Sequence, residues 1–433
     1  MIESTCRWPL ELSGREHGVQ EKMNSIQPTE RKIGTIKLRQ FNFVDRPEIY
    51  EMFRKRGVNV VKLVLLGGYM DSIGALADLL HLMPNLKHAV INIGPLPAVR
   101  DLPSDYVLPD MKKLKKLEWS VCDQRFIKCF RKANLTTIII KEIGTAAHYD
   151  SLVDFISSQD TLMSLTVKSG LSGQSILAEM GKLNLPIPIR LTKLAVNATE
   201  GGLNSEFDYN NVSRFIKSQK ENLKHVTIWE PVSTSVYESL FALTNMDTLG
   251  VSICQLPSDK NFYEQLAKNR NVRTIELRGH LDGDVGFLCN FFELFPNVRT
   301  LVLHDTDSKM NNDILLTAQS LSKLESLSMG ASNERSFGRI KFCNLKALHI
   351  GYLSGKIDWD QFTKMHSRLT ELSIRVIYRT MFTNDNLDQI VANVDLQSIR
   401  LGGYFKADDR FSKIIQAKCK NLKMLNLCDL YDV

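Results

Sequence analysis

One short pattern constrains this chain more than any other feature: N-L-x-x-L-x-L, with any aliphatic allowed at the L positions. The clearest copy is Asn297-Val298-Arg299-Thr300-Leu301-Val302-Leu303. Leu301 and Leu303 alternate with Val302 and His304, which predicts a short strand with one buried face. A single copy would leave that face in water, so copies must stack on one another. Sixteen candidate copies start at residues 33, 60, 86, 114, 135, 162, 191, 223, 246, 272, 298, 324, 345, 369, 396 and 422. Their mean step is about 26 residues. Asn precedes many of them, at positions 59, 85, 134, 222, 245, 271, 297, 344 and 421. A ladder this regular predicts a repeat array over residues 31–433, about sixteen repeats, behind a flexible N-terminal segment at residues 1–30.

Segments with helical periodicity separate the strands: 72–83, 149–158, 236–243, 261–268, 285–295 and 312–321. Leu76, Leu79, Leu80 and Met83 form one apolar stripe, expected to pack between neighbouring repeats. Asp71 and Asp284 are placed to cap exposed helix amides. The short steps, 114 to 135 and 324 to 345, predict a turn or 3₁₀ segment in place of a helix. The longest step, 191 to 223, holds the polar run 198–205 and predicts a loop insertion.

The pattern resembles the leucine-rich-repeat family, most closely its ribonuclease-inhibitor-like and F-box/leucine-rich-repeat subclasses. The resemblance implies an α/β fold: a curved solenoid with a parallel β-sheet on the concave side and helices on the convex side. The Asn or Cys that the family usually places after L-x-L is mostly missing here, so irregular loops are expected. The F-box subclass implies a substrate-recognition component of an SCF-type ubiquitin ligase, whose adaptor would be gripped through the N-terminus. Trp8-Pro9-Leu10 resembles the opening of an F-box and Cys6-Arg7-Trp8 its close, but residues 13–30 lack amphipathic helices. No complete F-box is present in the sequence. A truncated relative and a repeat protein that never carried an F-box both fit, as does a free-standing binding protein or inhibitor with no ligase link.

The chemistry-bearing motifs are few. No GxSxG, Walker-type loop or HExxH occurs. Gly170-Leu171-Ser172-Gly173 has glycines but no phosphate-contacting lysine. Asp305/Asp307 and Asp408/Asp409 read as solvated loop acids, and the nine histidines as solvated or satisfied positions. Two adjacent-turn motifs, Leu66-Gly67-Gly68-Tyr69 and Leu401-Gly402-Gly403-Tyr404, read as one shared way of leaving a strand. The eight cysteines show no C-x-x-C spacing, which argues against a structural zinc and for reduced core residues. Neither a signal-peptide run nor a stretch of ~20 apolar residues occurs, so a membrane role is not expected and a cytoplasmic or nuclear location is. No enzyme activity and no cofactor are expected.

What remains is the outward face of the strands, the third, fifth and seventh residues of each unit. It carries ten basic residues against three acidic ones, Glu118, Glu276 and Glu371. Two readings stand. Lys and Arg on sheet faces discourage aggregation. Alternatively they form a platform for an acidic protein partner, with Trp229 and Arg278 as anchors, supported by Lys141, Lys168, Lys193, His225, His304, Arg375 and Arg400. The mild net charge of +7 and the lack of interleaved aromatics argue against nucleic acid.

Overall fold

Apolar residues two apart, in strands one repeat apart, build parallel sheet because each connection must cross over through a helix or loop before the next strand begins. The computed structural model describes residues 10–12, 34–39, 47–68, 73–93, 111–120, 127, 130–141, 149–169, 173–182, 189–198, 209–229, 232–279, 285–304, 308–332, 340–353, 356–376, 378, 382–405 and 407–430. The chain divides into two compact units, Met1–Leu223 and Lys224–Val433.

The first unit contains β1 (Leu10–Leu12), β2 (Thr35–Arg39), β3 (Lys62–Gly68) and β4 (His88–Ile93), then β5 (Lys116–Ser120), β6 (Thr137–Lys141), β7 (Ser164–Ser169) and β8 (Lys193–Ala198). Each pairs in parallel with the next. The second unit contains β9 (His225–Ile228), β10 (Thr248–Ser252), β11 (Thr274–Arg278), β12 (Thr300–His304) and β13 (Ser326–Ser332). It continues with β14 (Ala347–Leu353), β15 (Glu371–Val376), β16 (Ser398–Gly403) and β17 (Met424–Leu430), again all parallel and in sequence order. A described strand thus follows each of the sixteen aliphatic positions that open a unit. Both units are runs of α/β leucine-rich repeats, the solenoid class that the sequence resembles.

The register fixes which side chains meet. In the second unit Val226, Leu249, Ile275, Leu301, Leu327, Leu348, Leu372 and Ile399 form one fully buried row. Ile228 through Leu401 form the second. Behind the sheet, Leu76, Leu79, Leu80 and Met83 are fully buried on helix Ile73–His81 and the turn after it, as their spacing predicts. Phe241, Phe291 and Phe295 pack with centroids 5.2–5.8 Å apart behind β10 to β12. The short step after β5 has no α-helix among its described residues, and Trp119, fully buried and edge-on to Phe130 at 5.9 Å, fills the space.

Two polar devices join repeats, and only one was readable. The Asn of the repeat pattern reaches back one unit: Asn297 donates to the Arg270 carbonyl at 2.7 Å, Asn85 to Val58 at 2.7 Å and Asn344 to Ser322 at 2.8 Å. Each also accepts from a cation one unit ahead, Lys323, Lys113 and Arg368 respectively. The second device is a buried polar residue three or four positions before a unit's first aliphatic. Gln159 accepts from the Leu135 amide and Gln219 from the Leu191 amide, while Asn269 donates to the Leu243 carbonyl. His366 accepts from the Phe342 amide. Each satisfies a backbone group of the preceding unit that would otherwise be buried without a partner.

Helix ends differ from the sequence expectation. The 261–268 segment is helical only over Lys260–Glu264, and 285–295 only over Leu288–Glu293, because the chain tightens into i→i+3 bonds on its way to the next strand. Asp71 and Asp284 lie outside the described residues. Carboxylate caps among the described residues are Asp259, Asp358 and Asp408, which accept amide hydrogens of the first turn. Asp408 is therefore a capping residue and not a merely solvated loop acid. Asp305, Asp307 and most of the 198–205 run also fall outside the described residues.

The paired Leu-Gly-Gly-Tyr motifs do not share one solution. Both sit where strand register shifts by a residue. In β3 the extra, left-handed residue is the first glycine, Gly67 (φ 64°), whereas in β16 the left-handed residue is the second, Gly403 (φ 76°). A Cβ on Gly403 would lie 2.1 Å from the Val376 carbonyl oxygen, while Gly67 has open space.

Candidate interaction surface

On the face away from the buried rows, the strands present three outward rows, and the two units differ in what these rows carry. In the first unit Lys62, His88 and Lys116 are neighbours on β3, β4 and β5. Burial and the two flanking ammonium groups push His88 down to about 4, so it is neutral at physiological pH. Lys141 and Lys168 are adjacent on β6 and β7, and Lys193 lies on the first outward row of β8 beside Ser164. Lys141 is committed to Glu118 at 2.5 Å.

The second unit gathers the rest of the predicted set. Arg278 and His304 are directly opposed on β11 and β12. Trp229, half-buried just after β9, meets the His304 ring edge-on at 5.6 Å. His304 Nε2 is 3.5 Å from Glu276. His225 is exposed at the start of β9, its Nδ1 3.0 Å from the Thr248 hydroxyl. Arg375 places its guanidinium carbon 5.7 Å over the ring of Tyr352. Arg400 lies on the same outward row as Ser373 and His349. Each of the three acidic face residues thus sits beside a basic one: Glu118 by Lys141, Glu276 by His304 and Glu371 by His349 at 3.9 Å. The cationic excess that is left rests on the remaining lysines and arginines.

Between His304 and Arg400 the sheet face sinks into a depression of about 430 Å³. Its floor exists because side chains are missing. Gly330, Gly351 and Gly402 follow the second buried aliphatic of β13, β14 and β16, where other units carry Arg278, His304 or Arg375. At Gly351 no larger residue fits without movement, since a Cβ would lie 2.8 Å from the Gly330 carbonyl oxygen. Ser328 and Ser373 keep the neighbouring row low, and Tyr352, His349 and the two arginines form walls. Strand alternation places His304, Arg375 and Arg400 on this face, but the charged residues alone do not mark the depression. The signal was available, because glycine recurs at the seventh position of the units opening at 324, 345 and 396.

No group of three or more His, Cys, Asp or Glu among the described residues is placed to hold a metal ion. No helix among them is long and apolar enough to cross a membrane.

No family model matches the sequence, and no curated protein does. Among solved structures, the chain is similar to a TLR13–ssRNA13 complex at 14% identity and TM-score 0.38, covering 92% of this chain and 68% of that one. It is also similar to the functional domain of InlJ from Listeria monocytogenes, which includes a cysteine ladder, at 10% identity and TM-score 0.29, covering 81% and 71%.

Proposed function

We propose that this protein is a non-catalytic recognition scaffold whose sheet face in the second unit binds an acidic segment of a partner protein. The observation that carries the reading is the corner where Trp229, His304 and Arg278 converge from β9, β11 and β12. An aromatic anchor beside an arginine on a rigid sheet is the usual composition of a binding hot spot. The further arginines of this unit's face, Arg375 and Arg400, steer an acidic partner and set its orientation more than they add affinity.

Within that class, we propose the chain as the substrate-recognition component of an SCF-type ubiquitin ligase acting in ubiquitin-dependent degradation. The support is the resemblance of its repeats to the F-box subclass. A free-standing binder is the alternative. Affinity capture from cell lysate, with the full chain beside a Trp229→Ala/Arg278→Glu variant, tests both levels. A protein retained by the first and lost from the second supports the surface. The ligase adaptor captured by both chains supports the ligase assignment, and its absence from both favours the free-standing binder. The same partner list for both chains would refute the surface.

A further inference from the structure

The depression beside the proposed anchor has a shape and charge that an ordinary acidic side chain does not use. At about 430 Å³ it has the size of a small-ligand site, far more than one carboxylate fills. Its floor at Gly330 and Gly351 carries no side chains, and the Tyr352 ring beside it is about half exposed. Two guanidinium groups border it. Arg375 is held at the height of the Tyr352 ring by stacking, and Arg400, exposed, stands on the next strand with Ser373 directly beside it.

A carboxylate carries one charge and fills one guanidinium fork. A phosphate monoester carries close to two and presents three acceptor oxygens, which matches two arginines and a serine hydroxyl. A floor without side chains, with an exposed ring beside it, accepts an aromatic ring by offset or edge contact. An aromatic side chain lying on Gly330 and Gly351 would carry a para substituent towards β15 and β16, where Arg375 stands in register with Gly402. From these features we infer that the depression is a binding site for an aryl phosphate, supplied as a phosphorylated tyrosine of the partner segment. This rests on the recognition reading above and deepens it. Arg375 and Arg400 hold the phosphate, and the glycine floor with Tyr352 holds the ring.

The test uses the full chain, immobilised, against three degenerate peptide libraries that differ at one fixed position: phosphotyrosine, tyrosine or glutamate. Retention of the phosphotyrosine library at least tenfold above the other two is expected. It should be lost on Arg375→Ala/Arg400→Ala. It should also be lost on Ser328→Leu, which fills the depression from an outward position and leaves both arginines in place. Circular dichroism confirms that these variants are folded. Phenyl phosphate should compete, and inorganic phosphate should compete at least tenfold less well. Glutamate and phosphotyrosine libraries retained equally would overturn the aryl phosphate site and leave the acidic-segment reading standing. Retention of neither above the tyrosine library would overturn both. Competition by adenosine monophosphate as effective as phenyl phosphate would also overturn the assignment, in favour of a nucleotide site.

Discussion

His366 offers the sharpest test of how the repeats are joined. Its ring is 2% exposed, stacked on Phe362 at 4.2 Å, with Nδ1 2.8 Å from the Phe362 carbonyl oxygen. The Phe342 amide donates to Nε2 at 3.2 Å. The acceptor role of Nε2 requires a neutral ring with its hydrogen on Nδ1. His366→Ala leaves the Phe342 amide buried without an acceptor, which costs about 1–3 kcal/mol. It also removes the aromatic stack, about 0.5–1.5 kcal/mol more. The expected loss of ~2–4 kcal/mol should stay local, because a repeat array is stabilised unit by unit. Hydrogen exchange read by mass spectrometry should show protection across β14 and β15 falling ~30- to 1000-fold. The first unit should be unchanged. Burial, aided by nearby Lys341, lowers the His366 pKa below the ordinary histidine value of 6.5. With the folded pKa depressed, the unfolded chain binds the proton first. Stability is therefore full above pH 6.5 and is lost as pH falls below it. His88 acts with the same sign between 6.5 and about 4, so the comparison should be made in a His88→Ala background. In that background His366→Phe should flatten the dependence of β14–β15 protection between pH 7 and 5. An undiminished slope in His366→Phe would refute the assigned tautomer and the bridge built on it.

Two further predictions follow from backbone and bridge geometry. Gly67→Ala should cost only ~1 kcal/mol, the strain of a left-handed alanine. Gly403→Ala should cost ~2–4 kcal/mol, because the added methyl must also displace the Val376 carbonyl; chemical denaturation of each variant, giving similar losses, would contradict the distinction. Asn297→Ala removes hydrogen bonds to Arg270 and from Lys323 at a partly exposed site, so a loss of ~1 kcal/mol is expected by the same method.

Strand placement was legible in the sequence because burial enforces it: a one-residue slip would turn Leu301 and Leu303 out of the core. The stripe of Leu76, Leu79, Leu80 and Met83 was legible for the same reason. Helix ends were not, since Glu264 and Glu293 end their helices where the route to the next strand demands it, against local propensity. The inter-repeat role of the pattern's Asn could be suspected from its recurrence. The roles of Gln159, Gln219, Asn269 and His366 could not, because three different residue types do one job. Of the surface, the row positions of Arg278, His304, Arg375 and Arg400 followed from alternation. The meeting of Trp229 with His304 did not, because it joins β9 to β12 across intervening strands. The depression was not legible in the charged residues, because absent side chains create it.

The three asparagine relays have a consequence for how disturbance travels along each unit. Arg270, Asn297 and Lys323 belong to three successive repeats, as do Val58, Asn85 and Lys113, and Ser322, Asn344 and Arg368. In a one-dimensional array the reach of a defect grows with the strength of the coupling between neighbours. Each relay ties its middle asparagine to both flanking rungs, so losing one contact loosens the side chain that makes the other and lengthens that reach. Double-mutant cycles between residues some fifty positions apart in sequence should then give non-zero interaction energies, and unfolding of either unit should be sharper than the sum of its repeats.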